Sequence, residues 1–135
     1  MAKITKINHV AIAVGDLESG LSFWRDTLGL QVSHIEDVPS QKSRVAFMPL
    51  GDSEVELVQP TSSDTGLEKF LNEKGPGMHH LCFEVDHLEE MQAVLKAKGV
   101  ELINEIPQVL PGRKIAFIHP KASNGVLVEL YEITE

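Results

Sequence analysis

The chain contains a version of itself. Ile7-Asn8-His9-Val10-Ala11-Ile12-Ala13-Val14-Gly15-Asp16-Leu17-Glu18 can be laid over Met78-His79-His80-Leu81-Cys82-Phe83-Glu84-Val85-Asp86-His87-Leu88-Glu89, with His9 on His80, Asp16 nearly on Asp86 and Leu17 on Leu88. Each half then runs through a helical pattern to a glycine, Gly29 or Gly99. Further on, Arg44-Val45-Ala46-Phe47-Met48-Pro49 echoes Lys114-Ile115-Ala116-Phe117-Ile118-His119-Pro120, and Glu54–Val58 echoes Leu127–Tyr131. A fold for this chain must therefore use one supersecondary unit twice. At roughly 65 residues neither half can bury a sizeable core alone. The expectation is one domain, 1–135, built of modules 5–60 and 77–133 packed by a pseudo-twofold operation and joined by a linker with a short helix, 61–76.

Each half reads as strand, helix, then three strands, which makes the class α+β with a curled mixed sheet. The first helix is expected over about 17–28, where Leu17, Leu21, Trp24 and Leu28 form one stripe behind an Asp16 N-cap. The second, about 87–98, carries Leu88, Met91 and Leu95, with Asp86 and Glu89 as a capping pair. Strand alternation directs Val10, Ile12 and Val14, and likewise Leu81, Phe83 and Val85, toward the helices. In the linker, Leu67, Phe70 and Leu71 mark a short helix that Gly75-Pro76-Gly77 ends.

Charge and cysteine content narrow the function classes. Twelve Lys and Arg against twenty Asp and Glu give a formal charge of −8, which argues against a nucleic-acid partner. The single cysteine, Cys82, allows neither an intramolecular disulfide nor a cysteine-based zinc cluster and suits a reducing compartment. The N-terminus lacks the pattern of a signal or transit segment, and no apolar run approaches the roughly 18 residues of a membrane helix. A soluble, cytoplasmic protein is expected.

The strand faces opposite the helices collect the chemistry. The first strand carries His9, Ala11 and Ala13 there, and its counterpart carries His80, Cys82 and Glu84; the last strand of each half adds Glu56 and Glu129. A lone histidine or glutamate in a strand is usually a satisfied polar side chain, but a matched His and Glu in each half is hard to obtain by surface chance. Two imidazoles and two carboxylates suit one divalent ion such as zinc, cobalt, nickel or manganese. Small neighbours at Ala11 and Ala13 are expected to leave room beside it. His79, in phase with Leu81 and Phe83, reads as structural; His34 and His87 read as solvent-facing, and Cys82 as a small hydrophobe. Arg113, Lys114 and Lys121, with Lys42 and Arg44 in the other half, offer a local contact for phosphate or carboxylate. No glycine-rich phosphate loop, Gly-x-Ser-x-Gly elbow or Ser/His/Asp arrangement stands out.

With these residues in place, the chain resembles the vicinal oxygen chelate superfamily, the glyoxalase/bleomycin-resistance fold. The resemblance spans nearly the whole chain and is carried by Asn8–Val14, Val38–Lys42, Arg44–Phe47, Glu56-Leu57, Gly77–Leu81, Ala116–Lys121 and Gly125–Leu130. The His119-Pro120-Lys121 and Gly125-Val126-Leu127-Val128-Glu129 ending is closest to the branch that acts on methylmalonyl-CoA. The resemblance implies a homodimeric isomerase with one divalent metal per chain, held by His9, Glu56, His80 and Glu129, that interconverts (2R)- and (2S)-methylmalonyl-CoA through an enolate. It implies Glu129 as a base. Epimerisation requires a second base on the opposite face of C2. Some members carry a glutamate for this where the chain has Val45, so the second base is either Glu56, across the metal from Glu129, or another residue or a metal-bound water. Lys114 and Lys121 are the candidate substrate contacts. The loop Gln108–Arg113 departs from the glycine-rich form of the branch. Two other activities share the fold: a glyoxalase I-like lactoylglutathione lyase, and a non-catalytic binder of drug molecules.

Overall fold

In the computed structural model, residues 1–134 are described; Glu135, the last residue of the expected domain, lies outside the described residues. The first half forms β1 (Ile4–Ala13), α1 (Leu17–Leu21), β2 (His34–Val38), β3 (Ser43–Leu50) and β4 (Ser53–Pro60). A linker helix α2 (Gly66–Lys74) follows, and the second half forms β5 (Gly77–Val85), α3 (Leu88–Ala97), β6 (Gln108–Leu110), β7 (Arg113–Ile118) and β8 (Val128–Ile133). The class is α+β, and each half has the order read from the repeat. The chain divides into two compact units, His9–His79 and a second in which Met1–Asn8 joins the residues from His80 onward. The division cuts through β1 and β5.

In the unit His9–His79 the strands lie in the order β2-β3-β4-β1, with β1 parallel to β4 and the other pairs antiparallel. One face of this sheet packs Ile12, Val14, Ala46, Met48 and Leu57 against Leu17 and Leu21 of α1. Asp16 caps α1 as expected, accepting the Ser19 N–H at 2.9 Å. The helix does not run straight to residue 28. After Leu21 it widens into a π-helical segment, Ser22–Thr27, in which the Leu28 N–H reaches back five residues to the Phe23 carbonyl at 2.8 Å. The extra residue per turn rotates the stripe away from the core. Trp24 still packs against the cluster, but Leu28 is 54% exposed.

The other face of the same sheet corrects a second expectation. Ala11 and Ala13 are fully buried, in a cluster with Val38, Val45 and Val58 against Leu67, Phe70 and Leu71 of α2. The small side chains let the linker helix approach this face.

In the other unit β5, β8, β7 and β6 follow one another, with β5 parallel to β8 and the first residues of β1 beside β5. Its core is Val85, Leu88, Ala116, Val128 and Leu130, with Phe83, Met91, Leu95 and Ile118 packed around them. The expected Asp86/Glu89 capping pair does not form. Asp86 accepts the Lys3 N–H at 2.7 Å, and Glu89 takes the Lys114 ammonium at 2.8 Å. The N-cap residue is His87, whose side chain makes no capping bond, and the open N–H of Leu88 is met from β8 by Glu132 Oε1 at 2.7 Å. The first half uses the same device, Gln59 Oε1 of β4 accepting from Leu17 N–H at 2.7 Å. Among the described residues no helix is long and apolar enough to cross a membrane.

Candidate metal centre

Two parallel strand pairs set the candidate ligands. In β1 and β4 the register places Ala11 opposite Glu56. His9 lies two residues before Ala11, hence on the same sheet face. In β5 and β8 the register places Cys82 opposite Glu129, with His80 again two residues earlier. The repeat is therefore kept at the level of side-chain pairs. His9 Nδ1 lies 3.2 Å from Glu56 Oε2, and His80 Nε2 lies 2.9 Å from Glu129 Oε1. His9, Glu56 and Glu129 are buried, at 3%, 8% and 5% exposure.

These spacings fit metal ligation. Two donors bound at a right angle and about 2.1 Å from one ion are separated by about 3 Å. Each unit thus supplies one imidazole nitrogen and one carboxylate oxygen at a distance that an ion can span. A buried carboxylate needs a compensating partner, which either an imidazolium or a cation provides.

Directly across from the two glutamates stand two phenylalanines, Phe47 opposite Glu56 and Phe117 opposite Glu129. Neither phenylalanine stands out by residue type, although the Ala46-Phe47 and Ala116-Phe117 echo contains the signal. The Phe117 ring meets His80 edge-on, at 5.6 Å and 90°. The Phe47 ring instead stacks on the exposed His34, at 4.4 Å and 12°. Val45, the position of a glutamate in some relatives by resemblance, is buried in the apolar cluster under α2, where a carboxylate would be poorly solvated.

The other candidates fall outside these pairs. Cys82 is buried and in no disulfide. His79 meets Phe70 of α2 edge-on at 5.0 Å, so its apolar partner is the linker helix. His34 and His87 are exposed, as expected. Lys114 sits near the start of β7, bound to Glu89 at 2.8 Å and 3.9 Å from Glu132. Its hydrogen bond to Glu89 raises the ammonium pKa above the ordinary lysine value and lowers that of Glu89. Lys121 is exposed in a short turn after the far end of β7, roughly 15 Å away at the rise of an extended strand. Lys42 pairs with Asp64 at 3.0 Å, Arg44 with Asp37 at 3.5 Å, and the Arg113 guanidinium lies over the Tyr131 ring at 6.0 Å.

The fold agrees with sequence comparison. Residues 8–117 match the Glyoxalase/Bleomycin resistance protein/Dioxygenase superfamily, and the chain belongs to it. It is 42% identical over 130 residues to the mitochondrial methylmalonyl-CoA epimerase of Mus musculus, covering 95% of this chain and 73% of that protein. With the ethylmalonyl-CoA/methylmalonyl-CoA epimerase of Cereibacter sphaeroides it shares 37% identity over 134 residues, 96% of this chain and 99% of the other. Among solved structures it is similar to a methylmalonyl-CoA epimerase in complex with methylmalonyl-CoA and NH4+, with a TM-score of 0.89, 33% identity and coverage of 98% and 96% of the two chains.

Proposed function

We propose that this chain is an isomerase that interconverts (2R)- and (2S)-methylmalonyl-CoA. The observation that carries the reading is the repeated, buried His–Glu pair, within a chain 42% identical over nearly its whole length to an enzyme named for that reaction. His9, Glu56, His80 and Glu129 would hold one divalent ion per chain, whether cobalt, zinc, nickel or manganese. When bound, the ion supplies Lewis acidity toward an oxygen of the thioester, against which negative charge develops as the C2 proton leaves. Glu129 takes that proton on its carboxylate. Glu56 returns one to the opposite face of C2, since inversion requires a donor and an acceptor on different sides. The exposed Lys121 is retained as a contact for the phosphates of the acyl-CoA; the carboxylates around Lys114 make it the weaker of the two. A homodimer in a reducing cytoplasm completes the reading, and a chain with a single cysteine, Cys82, suits such a compartment.

The test is incubation of the metal-loaded protein with one methylmalonyl-CoA epimer in deuterated water. Deuterium at C2 and appearance of the second epimer are expected. Absence of both overturns the reading. Lactoylthioester formation from the methylglyoxal–glutathione adduct would then assign a lyase, and a protein without divalent metal a binding role.

A further inference from the structure

We propose that Asn104, seated by Gln92, is a positioning residue for the His80–Glu129 pair, acting through Phe117. The inference rests on the reading of His80 and Glu129 as metal ligands. Gln92 is 5% exposed on α3, and a buried amide is costly unless it is bonded. Its Nε2 donates to the Asn104 carbonyl at 2.8 Å, fixing the backbone of the loop between α3 and β6. Asn104 Oδ1 in turn accepts the Phe117 N–H at 2.8 Å, and the Phe117 carbonyl accepts the Ile103 N–H at 2.9 Å. Both backbone polar groups of Phe117 are thus turned to this loop and away from β8.

That orientation has a consequence on the other side of the strand. Phe117 is opposite Glu129 in an antiparallel pair, and residues that do not exchange hydrogen bonds across such a pair have the closest side chains. The ring is brought against the site, edge-on to the imidazole whose Nε2 lies 2.9 Å from Glu129. A perpendicular ring restricts rotation of the imidazole and keeps that nitrogen aimed at the carboxylate. The module does not need this device to fold. At the equivalent Phe47 the carbonyl is bonded by the backbone N–H of Ser33 at 2.8 Å, and the ring lies on His34 rather than on His9. The Ser33 hydroxyl also donates to that carbonyl at 3.3 Å, so in the first half the side-chain bond falls on the Phe47 carbonyl, whereas in the second an amide oxygen takes the Phe117 N–H.

The experiment uses the full chain with Asn104→Ala, Asn104→Asp and Phe117→Leu. Cobalt(II) is titrated by its visible absorption with a competing chelator, and kcat and KM are measured with methylmalonyl-CoA. Asn104→Ala is expected to weaken cobalt binding about 10- to 100-fold, the usual loss when a group orienting a ligand is removed, and to lower kcat with KM unchanged. Asn104→Asp keeps an acceptor oxygen and is expected to restore the wild-type affinity and spectrum. Phe117→Leu, which keeps the backbone bond, should reproduce the loss, and it decides the matter if Asn104→Ala does not fold. Wild-type cobalt affinity in Phe117→Leu overturns the proposal, as does equal loss in Asn104→Asp and Asn104→Ala. Cobalt binding involves no substrate, so Asn104-dependent binding without epimerisation sinks the reaction and leaves the positioning role standing. A wild type that binds no cobalt overturns both.

Discussion

At the scale of single residues, the two glutamates are chemically alike and differ in what their loss should do. Glu129→Gln keeps the shape but removes the base, so deuterium incorporation from the epimer it serves is expected to fall about 100-fold or more. Glu56→Gln is expected to retain the metal, because the amide keeps an oxygen donor at that position. It should lower epimerisation by a similar factor while Glu129 still exchanges the proton of one epimer without inversion, a pattern that isotope analysis of each epimer resolves. A second prediction concerns Asp86, whose carboxyl is held below its ordinary pKa first by the Lys3 N–H. A lowered folded-state pKa means that the contact stabilises above the unfolded value and is lost as pH falls through the folded one. Exchange protection of the Lys3 amide, corrected for its intrinsic pH dependence, should therefore disappear on acidification below about pH 4. The four candidate ligands were legible because one histidine and one glutamate recur at the same phase in each half. Asp86 and Glu89 were not: their type and spacing suit a cap, but Lys3 and Lys114 offer charged or polar partners from distant parts of the chain.

At the scale of elements, α1 separates what periodicity shows from what winding decides. Leu21 and Leu28 belong to one stripe in the sequence, yet Leu21 is fully buried and Leu28 is 54% exposed after the π-helical segment. Leu21→Ala should cost about 2–5 kcal/mol, and Leu28→Ala about 0.5 kcal/mol or less, by chemical denaturation. Equal losses would contradict the widened turn. Gly20 gives a related expectation, because a Cβ there would lie 3.0 Å from both Leu57 and Val14, inside the packed cluster. The helical advantage of alanine, about 1 kcal/mol, is then outweighed by overpacking of about 1–3 kcal/mol, so Gly20→Ala should lower the melting temperature. The linker helix α2 was visible from Leu67, Phe70 and Leu71. Its position over Ala11 and Ala13 was not, because an apolar stripe states that it will be buried without naming the surface that buries it.

For the molecule as a whole, the metal should be part of the stability. Of the net charge of −8, Glu56 and Glu129 contribute two buried negative charges, each set against one imidazole. An ion that binds the folded chain at 100 times its dissociation constant stabilises by about 2.7 kcal/mol. Dialysis against a chelator is therefore expected to lower the calorimetric melting temperature by several degrees, with recovery on adding cobalt or zinc. An unchanged transition would count against the ligand set. By itself the sequence determined the twofold order of elements and the side of each strand on which His9, Glu56, His80 and Glu129 stand. Both follow from local rules, since side chains alternate along any strand and the repeat writes the same alternation twice. Tertiary structure decided the two-residue offset that sets each histidine beside its glutamate, the capping of α1 and α3 by Gln59 and Glu132, and the turn of Phe117 toward His80. Each of these depends on which distant backbone lies alongside, and that is settled by packing and hydrogen bonding across the fold.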